Sequence, residues 1–282
     1  MSFKDILLHI NTYPDATPPE AIDQAVRFAG AAGGSLTAIA VKVDLRTPGN
    51  WLADRLLNLR GVAAEEEAKS LAACRAAMRC TDEKLAAYKV SGGGLVTEAD
   101  QYGAGEHMAL QARTRDLCLV PMVSQNDGQR AIAEAVVFGS GRPVLLYRPG
   151  AADLLGRGLS TIVVAWDGGR TAARALADAL PLLPKARQVR VLTVIGEKAE
   201  ARPGLGSEPV RHLRAHGIDA ASDEVDAAGR KIGEVFSDYL AKHRSDLLVM
   251  GAYGRSRARE FILGGATESM LHDPKAPLFL SH

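Results

Sequence analysis

The sequence predicts two tandem α/β domains of the doubly wound type, and three observations carry that expectation. Short apolar runs alternate with longer helical stretches along the whole chain, the sign of a mostly parallel sheet covered on both faces. At 282 residues there is enough chain for two cores. The chain also repeats itself. Lys4-Asp-Ile-Leu-Leu-His-Ile-Asn11 aligns with Ser160-Thr-Ile-Val-Val-Ala-Trp-Asp167, Arg115-Asp-Leu-Cys-Leu-Val-Pro121 with Ser245-Asp-Leu-Leu-Val-Met-Gly251, and Pro143-Val-Leu-Leu with Pro277-Leu-Phe-Leu. Three matches in one order indicate a duplicated unit.

In the first half, strands are expected near 6–10, 35–43, 95–99, 117–122 and 144–147, each a short apolar run. Helices are expected near 19–32, 63–88, 105–114 and 129–138. The second half repeats the alternation, with strands near 161–166, 188–195, 219–225, 247–250 and 278–280 and helices near 171–182, 208–216, 231–243 and 265–272. Five strands joined by such crossovers make a flavodoxin-like (Rossmann-like) sheet. The turn-rich stretch Pro149-Gly-Ala-Ala-Asp-Leu-Leu-Gly-Arg-Gly158 separates the halves, giving domains 1–149 and 159–282. Sheets of this kind bind ligands beyond the strand carboxyl ends, where the strand order reverses. Where the strand order runs 3-2-1-4-5, that rule makes the Trp166-Asp167 turn and the Gly251 loop neighbours.

The most informative local feature lies in that second loop. Gly251-Ala-Tyr-Gly254 and Gly264-Gly265-Ala266-Thr267 stand between a buried strand and a helix that starts at 264–267. Unpaired amides at a helix start attract anions, and glycines let backbone approach a ligand without a Cβ in the way. The placement points to a phosphate cradle. Arg255, Arg257 and Arg259 lie between the glycines, where one of them could steer a polyphosphate by charge.

These residues resemble the nucleotide-binding members of the universal stress protein family, which carry Gly-x2-Gly-x9-Gly-(Ser/Thr) at the end of an α/β domain. Gly251, Gly254 and Gly264 match, while Gly265 stands where the family has Ser or Thr. Thr267 offers a hydroxyl slightly further into the helix. The resemblance implies five-stranded parallel sheets of order 3-2-1-4-5 and a C-terminal domain that binds ATP or a related adenine nucleotide, with Mg2+ accompanying the phosphates. It implies that Asp167 contacts base or sugar and that Ala165 and Val194 line the adenine pocket beside Trp166. Single domains of the family dimerise through their last strands, which implies an internal pseudo-dimer with strands 144–147 and 278–280 meeting. A homodimer of the whole chain is a further arrangement open to it.

The first half departs from this pattern. Asn11 replaces the Asp, Pro121 and Ser124 replace Gly251 and Gly254, and the connection to the last strand is shorter. No nucleotide is expected there in the family manner. The competing expectation is a tandem stress protein holding a different small molecule or a protein, consistent with Gly265 and the altered first half. An enzyme is least expected. No catalytic base or nucleophile pair is recognisable, so hydrolysis of ATP would be slow and incidental.

Other features carry less. Lys+Arg number 34 against 33 Asp+Glu, a net charge of +1 that provides no basic field for nucleic acid. No apolar run nears the roughly 20 residues of a membrane span, and the expected compartment is the cytoplasm. Cys74, Cys80 and Cys118 fit no zinc or CxxC spacing and read as reduced packing residues. His212 and His216 sit at i and i+4 but lack a third metal ligand. Gly103-Ala-Gly105 lacks the third glycine of a dinucleotide fingerprint. His9 ends the first strand as a polar residue of an altered pocket, and Trp51, Leu52, Leu56, Leu57 and Leu59 form an apolar stripe suited to packing or to a lid.

Overall fold

The computed structural model describes residues 2–45, 58–100, 102–123, 127–150, 159–196, 202–252 and 265–282. The Trp51 stripe, Ser124, Gly254, Gly264 and the three arginines lie outside the described residues, apart from Leu59. Two compact units emerge. One comprises Phe3–Ser140 with Arg148–Gly150; the other comprises Met1–Ser2, Gly141–Tyr147 and Ala151–His282.

In the first unit, β1 (Asp5–Ile10), β2 (Ser35–Asp44), β3 (Gly92–Asp100) and β4 (Leu117–Pro121) run parallel in the order β3-β2-β1-β4. Helices α1 (Pro19–Ala32), α2 (Leu59–Tyr88), α3 (Ala104–Ala112) and α4 (Asp127–Gly139) connect and cover them. β1 and β4 are buried nearly throughout because helices cover both faces, which is why their sequences are unbroken apolar runs. α1 starts on Pro19, whose missing N–H costs nothing at a helix start, and ends where Gly33 turns left-handed at φ 74°. β3 begins three residues earlier than its sequence indicates. Gly92 to Gly94 read as turn residues, yet a Cβ at Gly92 would lie 2.0 Å from the Leu36 carbonyl oxygen, so the missing side chain is what lets the strand close onto β2.

The second unit holds β6 (Leu159–Ala165), β7 (Ala186–Ile195), β8 (Ala220–Asp226), β9 (Leu247–Gly251) and β10 (Leu278–Ser281). They run parallel in the order β8-β7-β6-β9-β10, which is the expected 3-2-1-4-5. The helices are α5 (Arg170–Ala179), α6 (Ser207–Ala215), α7 (Ile232–Lys242) and α8 (Gly265–His272), with a 3-10 turn at Leu183–Lys185. Right-handed crossovers put α5 and α6 on one face and α7 and α8 on the other. β5 (Val144–Tyr147), the last strand of the first half, also belongs to this unit. It pairs antiparallel with β10, Leu146 opposite Leu278 and Val144 opposite Leu280.

Candidate functional site

β6 is the strand at which the order reverses, since β7 and β9 flank it on its two sides. Ala165 pairs with Leu192 and Val164 with Val249, so the next residue, Trp166, lies beside Thr193 on one side and Gly251 on the other. The Trp166 N–H donates to the Leu192 carbonyl at 2.8 Å, extending the ladder. Ser281 pairs with Gly251 on the far side of β9. Thr193, Trp166, Gly251 and Ser281 therefore form one lateral row at the carboxyl end of the sheet.

That row faces the start of α5. A Cβ on Gly251 would sit 2.4 Å from the Thr171 carbonyl carbon and 2.6 Å from the Ala172 nitrogen. Gly251 has no positive φ; it is needed because the first turn of a helix lies against its backbone. The indole Nε1 of Trp166 and the hydroxyls of Thr193 and Ser281 are buried without a hydrogen-bond partner among the described residues. Each such orphan costs about 1–3 kcal/mol unless something satisfies it. Thr193, Ser281 and Thr171 escaped the sequence reading. Their one signal is a hydroxyl at the end of an otherwise apolar strand, or at a helix start, and only the register makes it meaningful.

Asp167 follows at once. Its Oδ1 accepts the Gly169 N–H at 2.9 Å, closing a turn in which Gly168 takes φ 76° before α5 begins. The carboxylate thus stands between the end of β6 and an N-terminal helix turn that Gly169 does not cap with a side chain, a place where negative charge is favoured. Ala165 and Val194 are each 8% exposed at their strand ends. Gly265 is exposed as the first residue of α8, Ala266 is half-buried and Thr267 is buried in the same turn. Among the described residues, a Cβ on Gly265 would meet only Ile232 Cγ2, at 3.7 Å. The described residues bring together Trp166, Asp167 and Gly251, whereas the other half of the glycine motif lies outside them.

The matching region of the first unit is filled by its own side chains. Asn11 Nδ2 donates to the Asp15 carbonyl, and the Asn11 N–H is taken by Thr17 Oγ1. Past β4, the buried Gln129 accepts the Val123 N–H at 2.9 Å, so this amide is already spent. Thr12 donates to the Val41 carbonyl at 2.5 Å and contacts Ser70 Oγ at 2.7 Å, while Ser70 also accepts the Val43 N–H. Those bonds seat α2 on the carboxyl ends of β1 and β2. His9 is buried and has no hydrogen-bond partner among the described residues, and burial lowers its pKa to about 4.

The remaining motifs resolve into packing. Gly105 is small because a Cβ would lie 2.8 Å from Ala135 Cβ on α4. His212 and His216 are exposed with rings 4.8 Å apart, and no cluster of three metal-ligating side chains occurs among the described residues. All three cysteines are free, and burial pushes the Cys118 thiol up to about 12, leaving it unreactive. No helix among the described residues is long and apolar enough to cross a membrane.

Fold and strand-end geometry define the class: doubly wound, flavodoxin-like α/β domains in tandem, with the cleft position of this architecture at β6 and β9. Residues 158–282 match the sequence profile described as Universal stress protein family. The second half of the chain is a universal stress protein domain, and the first half repeats its fold.

Solved structures agree at the level of fold. A universal stress protein from Archaeoglobus fulgidus DSM 4304 is 15% identical with a TM-score of 0.69, covering 98% of this chain and 95% of its own. A putative universal stress protein from Pseudomonas aeruginosa UCBPP-PA14 is 16% identical with a TM-score of 0.55, covering 99% and 93%. A further universal stress protein, solved in complex with cAMP, is 18% identical with a TM-score of 0.34, over 44% of this chain and 98% of its own. No curated protein matches the sequence significantly.

Proposed function

We propose that the chain is a cytoplasmic stress-response protein that binds ATP, or a related adenine nucleotide, in a C-terminal domain spanning 159–282, with 1–149 as a copy that has lost the site. The observation that carries this reading is the meeting of the Asp167 turn and Gly251 on adjacent strand ends at the point of order reversal. Asp167 would take the sugar or base, with Ala165, Trp166 and Val194 around it. Gly251, Gly254 and the run Gly264 to Thr267 would hold the phosphates, accompanied by Mg2+. The unsatisfied groups of Trp166, Thr193 and Ser281 support it, because they concentrate unused hydrogen-bonding capacity along the same strand ends. The antiparallel seat of β5 on β10 supports the expected pairing of last strands.

Calorimetric titration with MgATP tests the proposal, and saturable binding of one nucleotide per chain is the expected result. Asp167→Asn keeps an oxygen that can accept the Gly169 N–H but removes the charge. It should fold normally and weaken binding by about tenfold, roughly one charge-assisted hydrogen bond. Absence of saturable binding by the unaltered protein at millimolar nucleotide would return the chain to the competing expectation of a different ligand on the same scaffold.

A further inference from the structure

Trp166 and Thr193 stand side by side in the row of strand ends and turn to one face of the sheet, the face of α5 and α6. Glu224 of β8 pairs with Thr193 and carries the row one strand further. The turn 202–207, which leads into α6, runs along it. The Gly204 N–H donates to the Glu224 carboxylate. A Cβ on Gly206 would lie 3.5 Å from Thr193 Oγ1 and collide with Ser222 Oγ, while Leu205 Cδ1 lies 3.4 Å from the place of a Cβ on Gly168, next to Asp167. The turn therefore lies over Glu224, Thr193 and the Trp166-Asp167 corner in succession.

It is lightly held there. The Leu205 N–H donates to the Arg202 carbonyl, and Ser207 donates both N–H and hydroxyl to the Gly204 carbonyl, so these bonds stay within the turn. Its bond to Glu224 ends on an exposed carboxylate. What it covers is unsatisfied, since Trp166 Nε1 and Thr193 Oγ1 are buried with no hydrogen-bond partner among the described residues, and such groups favour whatever supplies one. Gly206 sits too close to Thr193 for a ligand to come between them, so a ligand that reaches both groups must displace the turn. Trp166 offers a donor only, Thr193 a hydroxyl that donates or accepts. Asp167 and Glu224 set carboxylates at the two ends of this stretch of the row, which opposes a phosphate and suits an uncharged nucleoside. Ala165 and Val194, one step along their strands, turn to the other face, so a nucleoside touching both pairs lies across the strand ends.

We propose that the turn 202–207 is a displaceable cover over the nucleoside end of the site, and that a bound nucleoside moves it aside, accepts the Trp166 N–H and hydrogen-bonds the Thr193 hydroxyl. This rests on the nucleotide reading above; it makes Thr193 a ligand contact and makes affinity depend on how easily the turn moves.

Calorimetric titration of the full chain with adenosine and with MgATP tests it. Thr193→Val keeps the shape and removes the hydroxyl, and should weaken both ligands by the same factor, about 5-fold, as for one hydrogen bond. Its urea midpoint should equal or exceed that of the parent, because a buried hydroxyl without a partner is gone. Leu205→Ala unseats the turn from Gly168 and should tighten adenosine at least ~3-fold, where the loss of a merely structural contact would weaken it. In a Trp51→Phe background Trp166 is the sole tryptophan, and Leu205→Ala should raise its quenching by acrylamide. If Leu205→Ala fails to fold, Glu224→Ala frees the Gly204 N–H and should tighten adenosine in the same way. Adenosine binding that Thr193→Val leaves unchanged, or that loosening the turn does not tighten, would overturn the cover and leave nucleotide binding standing. A parent chain that binds neither ligand would end the nucleotide reading and the cover together.

Discussion

Gly265 is the residue at which the smallest change should have the largest effect on ligand binding. Among the described residues a Cβ there meets only Ile232 Cγ2 at ordinary contact distance, so they accommodate Gly265→Ser, which adds a hydroxyl at the start of α8. If that turn holds phosphate, affinity for MgATP should rise several-fold, about 1 kcal/mol, the net worth of one added hydrogen bond. Calorimetry on parent and variant measures it, and unchanged affinity would mean that the ligand does not reach the helix start. Gly251 behaves in the opposite way, since any side chain there collides with backbone at Thr171 and Ala172. The two glycines look alike in the sequence. One is required by packing against α5, the other by nothing the described residues contain.

At the scale of elements, the start of α8 is set by how closely that helix approaches α7. A Cβ on Gly233 would lie 1.8 Å from Ser269 Oγ and 2.4 Å from Ser269 Cβ. Gly233→Val should therefore displace α8, lowering stability by about 2–3 kcal/mol through overpacking and weakening nucleotide binding with it. A chemical denaturation midpoint paired with a titration checks both effects; a loss of stability with binding intact would separate α8 from the ligand. In the first unit α2 is seated through Ser70, whose bonds to Thr12 and Val43 hold it on the carboxyl ends of β1 and β2. Sequence reading located α8 at 265–272 as found and α2 at 63–88, four residues short of its start at Leu59. Their partners were hidden, because contacts such as Gly233 with Ser269 join positions with no local pattern in common.

For the molecule as a whole, acid should open the first unit before the second. Burial holds His9 neutral down to about pH 4, whereas its ordinary value is 6.5. Between those values the unfolded chain binds a proton that the folded chain refuses, so stability is full above about pH 6.5 and falls as pH drops toward 4. The loss should reach about 2–3 kcal/mol near pH 4. His9→Leu should flatten that slope without lowering stability at pH 7, as read from urea midpoints between pH 4 and 7. A slope identical to that of the parent would show that His9 does not govern acid sensitivity.

Alternating apolar runs and the recurrence of three strand sequences in the second half determined the duplicated α/β plan on their own, because strand and helix periodicity are local properties that survive without knowledge of neighbours. The switch-point rule, applied to the strand order that the family resemblance implies, also expects Trp166, Asp167 and Gly251 together, since topology alone decides which strand ends are adjacent. Only the tertiary structure decided the rest. Register across four strands turned Thr193 and Ser281 into companions of Trp166, close approach gave Gly251 and Gly233 their reasons, and hydrogen bonds from Asn11, Thr12 and Gln129 filled the first unit's counterpart of the site. Such contacts join residues far apart in the chain, and no local pattern records them.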